Sequence, residues 1–132
     1  LRTDNRVHNF EKTNLRDIAP EDIPDSPFHF IVMDLSFISL RKVLPMAWSF
    51  LAPSGKIVSL IKPQFECKKE EADLGKGIIR DPEIHNRVLS EIKDFAKTKL
   101  KGSSLLLEKK ARPQGTDGNQ EFFLSWKKDS ID

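Results

Sequence analysis

Three ionisable residues stand at the ends of apolar runs. Asp34 closes the run from Phe28 to Met33, Lys62 closes the run from Ile57 to Ile61, and Glu121 opens the run that reaches Trp126. Short, nearly continuous apolar runs bounded by turn signals read as strands of a parallel sheet buried on both faces. If the first two are parallel neighbours, Asp34 and Lys62 leave the sheet at its carboxyl edge, where open α/β sheets bind their ligands. A final strand running the other way presents its first residue there, which adds Glu121. A lysine between two carboxylates can be an ion network that only neutralises itself. It can also handle protons: burial favours the neutral amine, flanking carboxylates favour the ammonium, and the balance decides whether it can take up a proton. The carboxylates would also orient the amine.

The elements that must position these groups follow from the pattern around them. Residues 1–26 are polar apart from a short apolar alternation at Val7 to Phe10, which predicts a short strand followed by a loop. After Asp34, the residues Leu40, Val43, Leu44, Ala47, Trp48 and Leu51 recur at roughly helical spacing and predict a helix over 36–51, with Pro45 in or near its first turn and Pro53-Ser-Gly55 stopping it. The stretch 64–79, rich in Lys and Glu, predicts a long and therefore functional loop, mobile when nothing is bound. Asp81 followed by Pro82 caps a helix whose apolar face is Ile84, Val88, Leu89, Ile92, Phe95 and Ala96, and Gly102 ends it. Strands at 104–109 and 121–126, joined by a turn-rich segment without a helix, should be antiparallel. The sum is a single α/β domain with a mixed sheet and a C-terminal antiparallel pair.

Bulk properties exclude several classes. The 132 residues, 38% of them hydrophobic, suit one domain with one core. The longest apolar runs fall far short of the ~20 residues that a membrane-spanning helix needs, and the expectation is a soluble cytoplasmic protein. Cys67 is the only cysteine, so no internal disulfide can form, and His8, His29 and His85 show no metal-ligand spacing. A net charge of +2 is too small to announce a nucleic-acid binder. Local clusters matter more: Lys68, Lys69, Lys76 and Arg80 surround one glycine-containing segment and are the candidate RNA contacts, while Lys109, Lys110 and Arg112 follow a strand-like run.

Four segments carry a resemblance. Asp34-Leu-Ser-Phe-Ile-Ser-Leu40, Ile61-Lys-Pro-Gln-Phe-Glu66, Gly75-Lys-Gly with Arg80-Asp-Pro and His85, and Gly118-Asn-Gln-Glu-Phe122 resemble, in order and spacing, the TlyA-type haemolysin and ribosomal RNA 2′-O-methyltransferase family, whose catalytic domain is FtsJ-like. The resemblance implies a Rossmann-like methyltransferase fold, S-adenosylmethionine as methyl donor, and ribosomal RNA or ribosomal subunits as partner, with no membrane involved. It also implies three members of a Lys-Asp-Lys-Glu tetrad: Asp34, Lys62 as the lysine that activates the ribose 2′-hydroxyl, and Glu121. The stretch Thr13-Asn-Leu-Arg-Asp17 resembles the segment that contacts the donor's adenine, so Asn14 and Leu15 join Asp34 as cofactor candidates.

The chain also departs from the family pattern. An S4-type RNA-binding domain, the first methyltransferase strands with their glycine-rich loop, and the tetrad's first lysine have no counterpart in these residues. Residues 1–132 are therefore expected to be the C-terminal part of one FtsJ-like domain, inactive alone and unable to hold the donor. Missing neighbours of the first strands also lead to the expectation that this fragment self-associates as a homodimer. Two rival functions stand beside the enzyme. One is a haemolysin acting on membranes, against which the helix from Asp81 balances its lysines with Glu83, Glu91 and Asp94. The other is a non-catalytic RNA-binding module, for which Lys62 would be dispensable.

Overall fold

A computed structural model describes residues 3–115 and 117–130. Its sheet has four strands: β1 (Phe28–Met33), β2 (Leu51–Ile61), β3 (Ser103–Lys110) and β4 (Phe122–Lys128), in the order β1-β2-β4-β3. β1 and β2 are parallel, whereas β4 is antiparallel to both β2 and β3. This is the mixed sheet with a closing antiparallel pair that the sequence predicts.

Alternation along the strands decides which face is covered. Ile57 and Ile61 of β2 lie opposite Trp126 and Phe122 of β4, and all four side chains are buried on one face of the sheet. Helix α4 (Pro82–Lys99) covers that face with Val88, Leu89, Ile92 and Ala96, and the short α1 (Leu44–Ser49) adds Leu44, Ala47 and Trp48. The Asp81 carboxylate accepts the Glu83 N–H at 2.9 Å, with Pro82 next to it, so α4 starts where the sequence predicts. Trp48 donates its indole N–H to the Lys101 carbonyl at 3.0 Å, which ties α1 to the end of α4.

Four expectations need correction. First, β1 is not buried on both faces: Ile31 and Met33 pack toward the core, while Phe30 and Val32 on the other face are 60% and 69% exposed. Second, Val7 to Phe10 forms no strand and lies exposed, because four alternating residues with no partner strand cannot satisfy their backbone groups by pairing. Third, the helix over 36–51 is reduced to a 3-10 turn at Leu40–Lys42 and to α1. Phe37 has a left-handed backbone (φ 64°) that no α-helix accepts, and Leu51 already belongs to β2. Pro53-Ser-Gly55 lies inside β2, where the pairing with β1 slips from Phe28↔Leu51 to Phe30↔Lys56.

Fourth, the segment 64–79 is not an irregular loop. It holds α2 (Pro63–Glu66) and α3 (Lys69–Leu74), and side chains distant in sequence anchor it. Arg87 of α4 grips the Glu71 carboxylate with both terminal nitrogens. The Asn119 side chain accepts the Ile79 N–H at 2.9 Å and donates to the Gly77 carbonyl at 2.8 Å. His85 meets the Ile79 carbonyl at 2.7 Å through Nε2.

Candidate active site

β1 ends at Met33, β2 ends at Ile61, and β4 begins at Phe122 directly opposite Ile61. The residue just outside each of these positions is charged: Asp34, Lys62 and Glu121. The structure brings the three together at one edge of the sheet. Lys62 Nζ lies 2.6 Å from Asp34 Oδ1 and donates to Ser36 Oγ at 3.2 Å. The lysine side chain is only 12% exposed, whereas Asp34 is 71% exposed, so the pair is open to solvent on the carboxylate side.

Lys62 and Glu121 line a pocket of about 210 Å³ together with Ser36, Phe37, Gln64, Phe65 and Asp117. Burial pushes the Glu121 carboxyl above the usual carboxylate range; the Lys62 charge pulls it back, and the Asp34 and Asp117 charges add to the rise. Asp117 moves the other way, lowered by hydrogen bonds from the Asn119 side chain and backbone. Two carboxylates in one pocket therefore differ in basicity because one is desolvated and the other is hydrogen-bonded.

Five residues of this pocket escaped the sequence reading: Ser36, Phe37, Gln64, Phe65 and Asp117. Phe37 is the most unusual. The residue is 88% exposed although it lines the pocket, its backbone is left-handed, and its ring leans on Phe65 with centroids 5.0 Å apart. Large aromatics are rarely left so open on a strained backbone, and such outliers cluster at functional sites. A signal was present, since Phe37 and Phe65 both fall within the motif segments.

The remaining candidates lie elsewhere. Asn14 uses its side chain to accept the Arg16 N–H at 3.0 Å and so caps the 3-10 turn Leu15–Asp17. Leu15 lines a separate apolar hollow of about 150 Å³ with Ile23, Phe28, Ile31, Ala47 and Phe50, not the pocket around Lys62. Lys68, Lys69, Lys76 and Arg80 are all exposed between α2 and α4, and none of them lines that pocket. Among the described residues, no group of histidine, cysteine and carboxylate side chains could hold a metal ion, and no helix is long and apolar enough to cross a membrane.

β1 and β2 run parallel with β4 antiparallel beside them, and at their carboxyl edge Lys62 is held by Asp34 and Ser36, with Glu121 on the wall of the same pocket. The chain belongs to the FtsJ-like methyltransferase family, whose model matches residues 1–128. It is 39% identical over 127 residues to the Bacillus subtilis protein YqxC, described as a candidate rRNA methyltransferase, covering 94% of this chain and 43% of that protein. It is 38% identical over 124 residues to the 16S/23S rRNA (cytidine-2′-O)-methyltransferase TlyA of Mycobacterium tuberculosis, covering 94% of this chain and 45% of that protein. A Lactococcus lactis protein of known crystal structure, described as a candidate hemolysin, superposes with a TM-score of 0.89 at 35% identity, over 98% of this chain and 60% of that one. The chain thus spans less than half the length of the Bacillus subtilis and Mycobacterium tuberculosis relatives.

Proposed function

We propose that this chain is the C-terminal, acceptor-side part of a single FtsJ-like domain in a cytoplasmic S-adenosylmethionine-dependent ribosomal RNA 2′-O-methyltransferase. The observation that carries this reading is the Asp34–Lys62 pair, 2.6 Å apart, in one pocket with Glu121. Two of the three Lys62 N–H groups are directed by Asp34 and Ser36. The third is the one assigned to the ribose 2′-oxygen, where an ammonium stabilises the negative charge that develops as the hydroxyl is deprotonated. Glu121, on the wall of the same pocket and more basic than an ordinary carboxylate, accepts the hydroxyl proton. Phe37 offers an exposed ring face on which the base of the target nucleotide can stack once it leaves its helix.

S-adenosylmethionine supplies a methyl group activated on a sulfonium. The residues present do not by themselves fit a molecule of that size: the pocket at the catalytic edge is smaller than the ~300 Å³ usual for such ligands, the Asn14 side chain is committed to a backbone cap, and Leu15 lines a different hollow. Only Asp34, largely exposed, remains a donor contact. Donor binding is therefore assigned mainly to segments outside this chain, and the chain alone is proposed to be inactive. Lys68, Lys69, Lys76 and Arg80 are proposed to contact RNA phosphates from the exposed side of the 68–80 segment.

The test of the reaction is direct. Mass-spectrometric mapping of ribose methylation in ribosomal RNA, from cells with and without the intact gene, should show a 2′-O-methyl group that disappears with the gene and returns with it; unchanged maps would overturn the assignment. A partner proposal concerns the isolated chain. With Phe30 and Val32 exposed on β1, an end strand of the sheet, two copies are expected to join through this strand as a two-fold dimer. Sedimentation of the isolated chain at tens of micromolar should show that dimer, and a single monomeric species would refute it.

A further inference from the structure

The Asp34–Lys62 contact joins two segments that leave the sheet beyond its last β1–β2 register pair, Met33 and Ser59, so a link outside the strands bears on their distance. The link lies behind the pocket. Glu66, the last residue of α2, turns its side chain back beneath the loop that follows β1. Its Oε1 accepts the Ser39 hydroxyl at 2.6 Å, and its Oε2 accepts the Leu40 backbone N–H at 2.8 Å. Ser39 in turn accepts the Arg41 N–H at 3.1 Å, which caps the 3-10 turn Leu40–Lys42. This carboxylate is largely withdrawn from water, and burial raises its pKa while the Ser39 and Leu40 hydrogen bonds and the Arg41 charge oppose the rise. A carboxylate is costly to bury, and here both oxygens bond to one loop while the backbone belongs to another. Both loops carry the chemistry: Asp34, Ser36 and Phe37 on the first, Lys62 and Phe65 on the second.

We propose that Glu66 is a positioning residue that clamps the loop after β1 to the turn after β2, and so sets Asp34 and Ser36 against Lys62 and Phe37 against Phe65. The proposal rests on the methyltransferase reading for its effect on rate, but not for its effect on structure. A mere fold-stabilising role would lower the melting temperature and leave the turnover of folded molecules unchanged. A positioning role changes turnover, since displacements near 1 Å at a reacting centre cost on the order of 10²-fold.

The experiment uses the full-length protein with Glu66→Ala, Glu66→Gln and Ser39→Ala, at a temperature where each is fully folded. The glutamine variant keeps an oxygen for the Leu40 N–H and loses the charge; Ser39→Ala removes one arm of the clamp and tests the proposal even if Glu66→Ala fails to fold. Hydrogen exchange of the Leu40 amide should quicken by at least about tenfold in Glu66→Ala, with α4 amides unchanged as the internal reference. In the same variant kcat should fall by roughly 10- to 100-fold with KM for RNA nearly unchanged, Ser39→Ala should fall between that variant and the wild type, and Glu66→Gln should recover most of the loss. Unaltered Leu40 exchange, or kcat within twofold of wild type in Glu66→Ala, overturns the proposal. So does a glutamine variant as slow as the alanine variant, which would mean that charge rather than the clamp matters. If Lys62→Met also leaves the rate intact, the methyltransferase reading falls with the rate arm, and the exchange arm still decides the clamp.

Discussion

Replacing Lys62 with methionine in the full-length protein should lower kcat for ribose methylation by at least about 10²-fold, the scale at which removing one donor that stabilises a developing oxyanion is felt. Methionine keeps the length and the apolar stem of lysine and removes only the nitrogen that reaches Asp34 and Ser36. Stability should change little. Asp34 is mostly exposed, so losing its partner leaves a solvated carboxylate rather than a buried one, and the methionine side chain fills the space of the largely buried lysine stem. RNA affinity should also hold, because the exposed lysines of the 68–80 segment are untouched. A binding module in which Lys62 is dispensable predicts the opposite: methylation unchanged.

The same assay gives a pH dependence with a definite sign. Glu121 must be ionised to accept a proton, and desolvation raises its pKa above the usual carboxylate value. The rate should therefore fall as the pH drops through that raised pKa, at a higher pH than an ordinary glutamate would require. Glu121→Gln should slow the reaction and erase this acid limb. A limb that persists unchanged in Glu121→Gln would assign the titration to another group.

Much of this site was legible because strands end abruptly. Met33-Asp34 and Ile61-Lys62 mark the carboxyl edge by a switch from apolar to charged residues, and the antiparallel return that delivers Glu121 follows from two strand-like runs with no helix between them. The long α4 was legible too, since its cap and its apolar face are both local signals. What stayed hidden depends on contacts distant in sequence. Nothing in 64–79 looks helical by pattern, yet α3 forms with Glu71 bound to Arg87, and α2 carries Glu66 to Ser39 and Leu40. The helix expected over 36–51 fails at Phe37, whose left-handed backbone local propensity cannot foresee. Burial of β1 on both faces was inferred from composition alone; Phe30 and Val32 show that an apolar run establishes the capacity to be covered, not the cover itself.

Asn119 should be the most costly single substitution among the polar residues near the site. It is 1% exposed, and its side chain makes three hydrogen bonds: it accepts from the Ile79 N–H, and it donates to the Gly77 carbonyl and to Asp117 Oδ2. Leucine at this position fills a similar volume but meets none of these partners. Three bonds at about 1 kcal/mol each, plus the penalty for a buried Ile79 amide left without an acceptor, give an expected loss of roughly 3–5 kcal/mol. For a chain of this size that corresponds to a fall in melting temperature on the order of 10 °C. Denaturant unfolding of Asn119→Leu against the exposed control Asn86→Leu would measure it, and a difference below about 1 kcal/mol would show that the clasp carries no weight. The consequence for function follows from position. Asn119 stands two residues before Glu121 and holds the 77–79 segment against the turn that leads into β4, so loosening it frees the Glu121 wall of the pocket. Turnover in the folded fraction of Asn119→Leu should accordingly fall as well, and its acid limb should move toward the ordinary carboxylate range as Glu121 becomes better solvated.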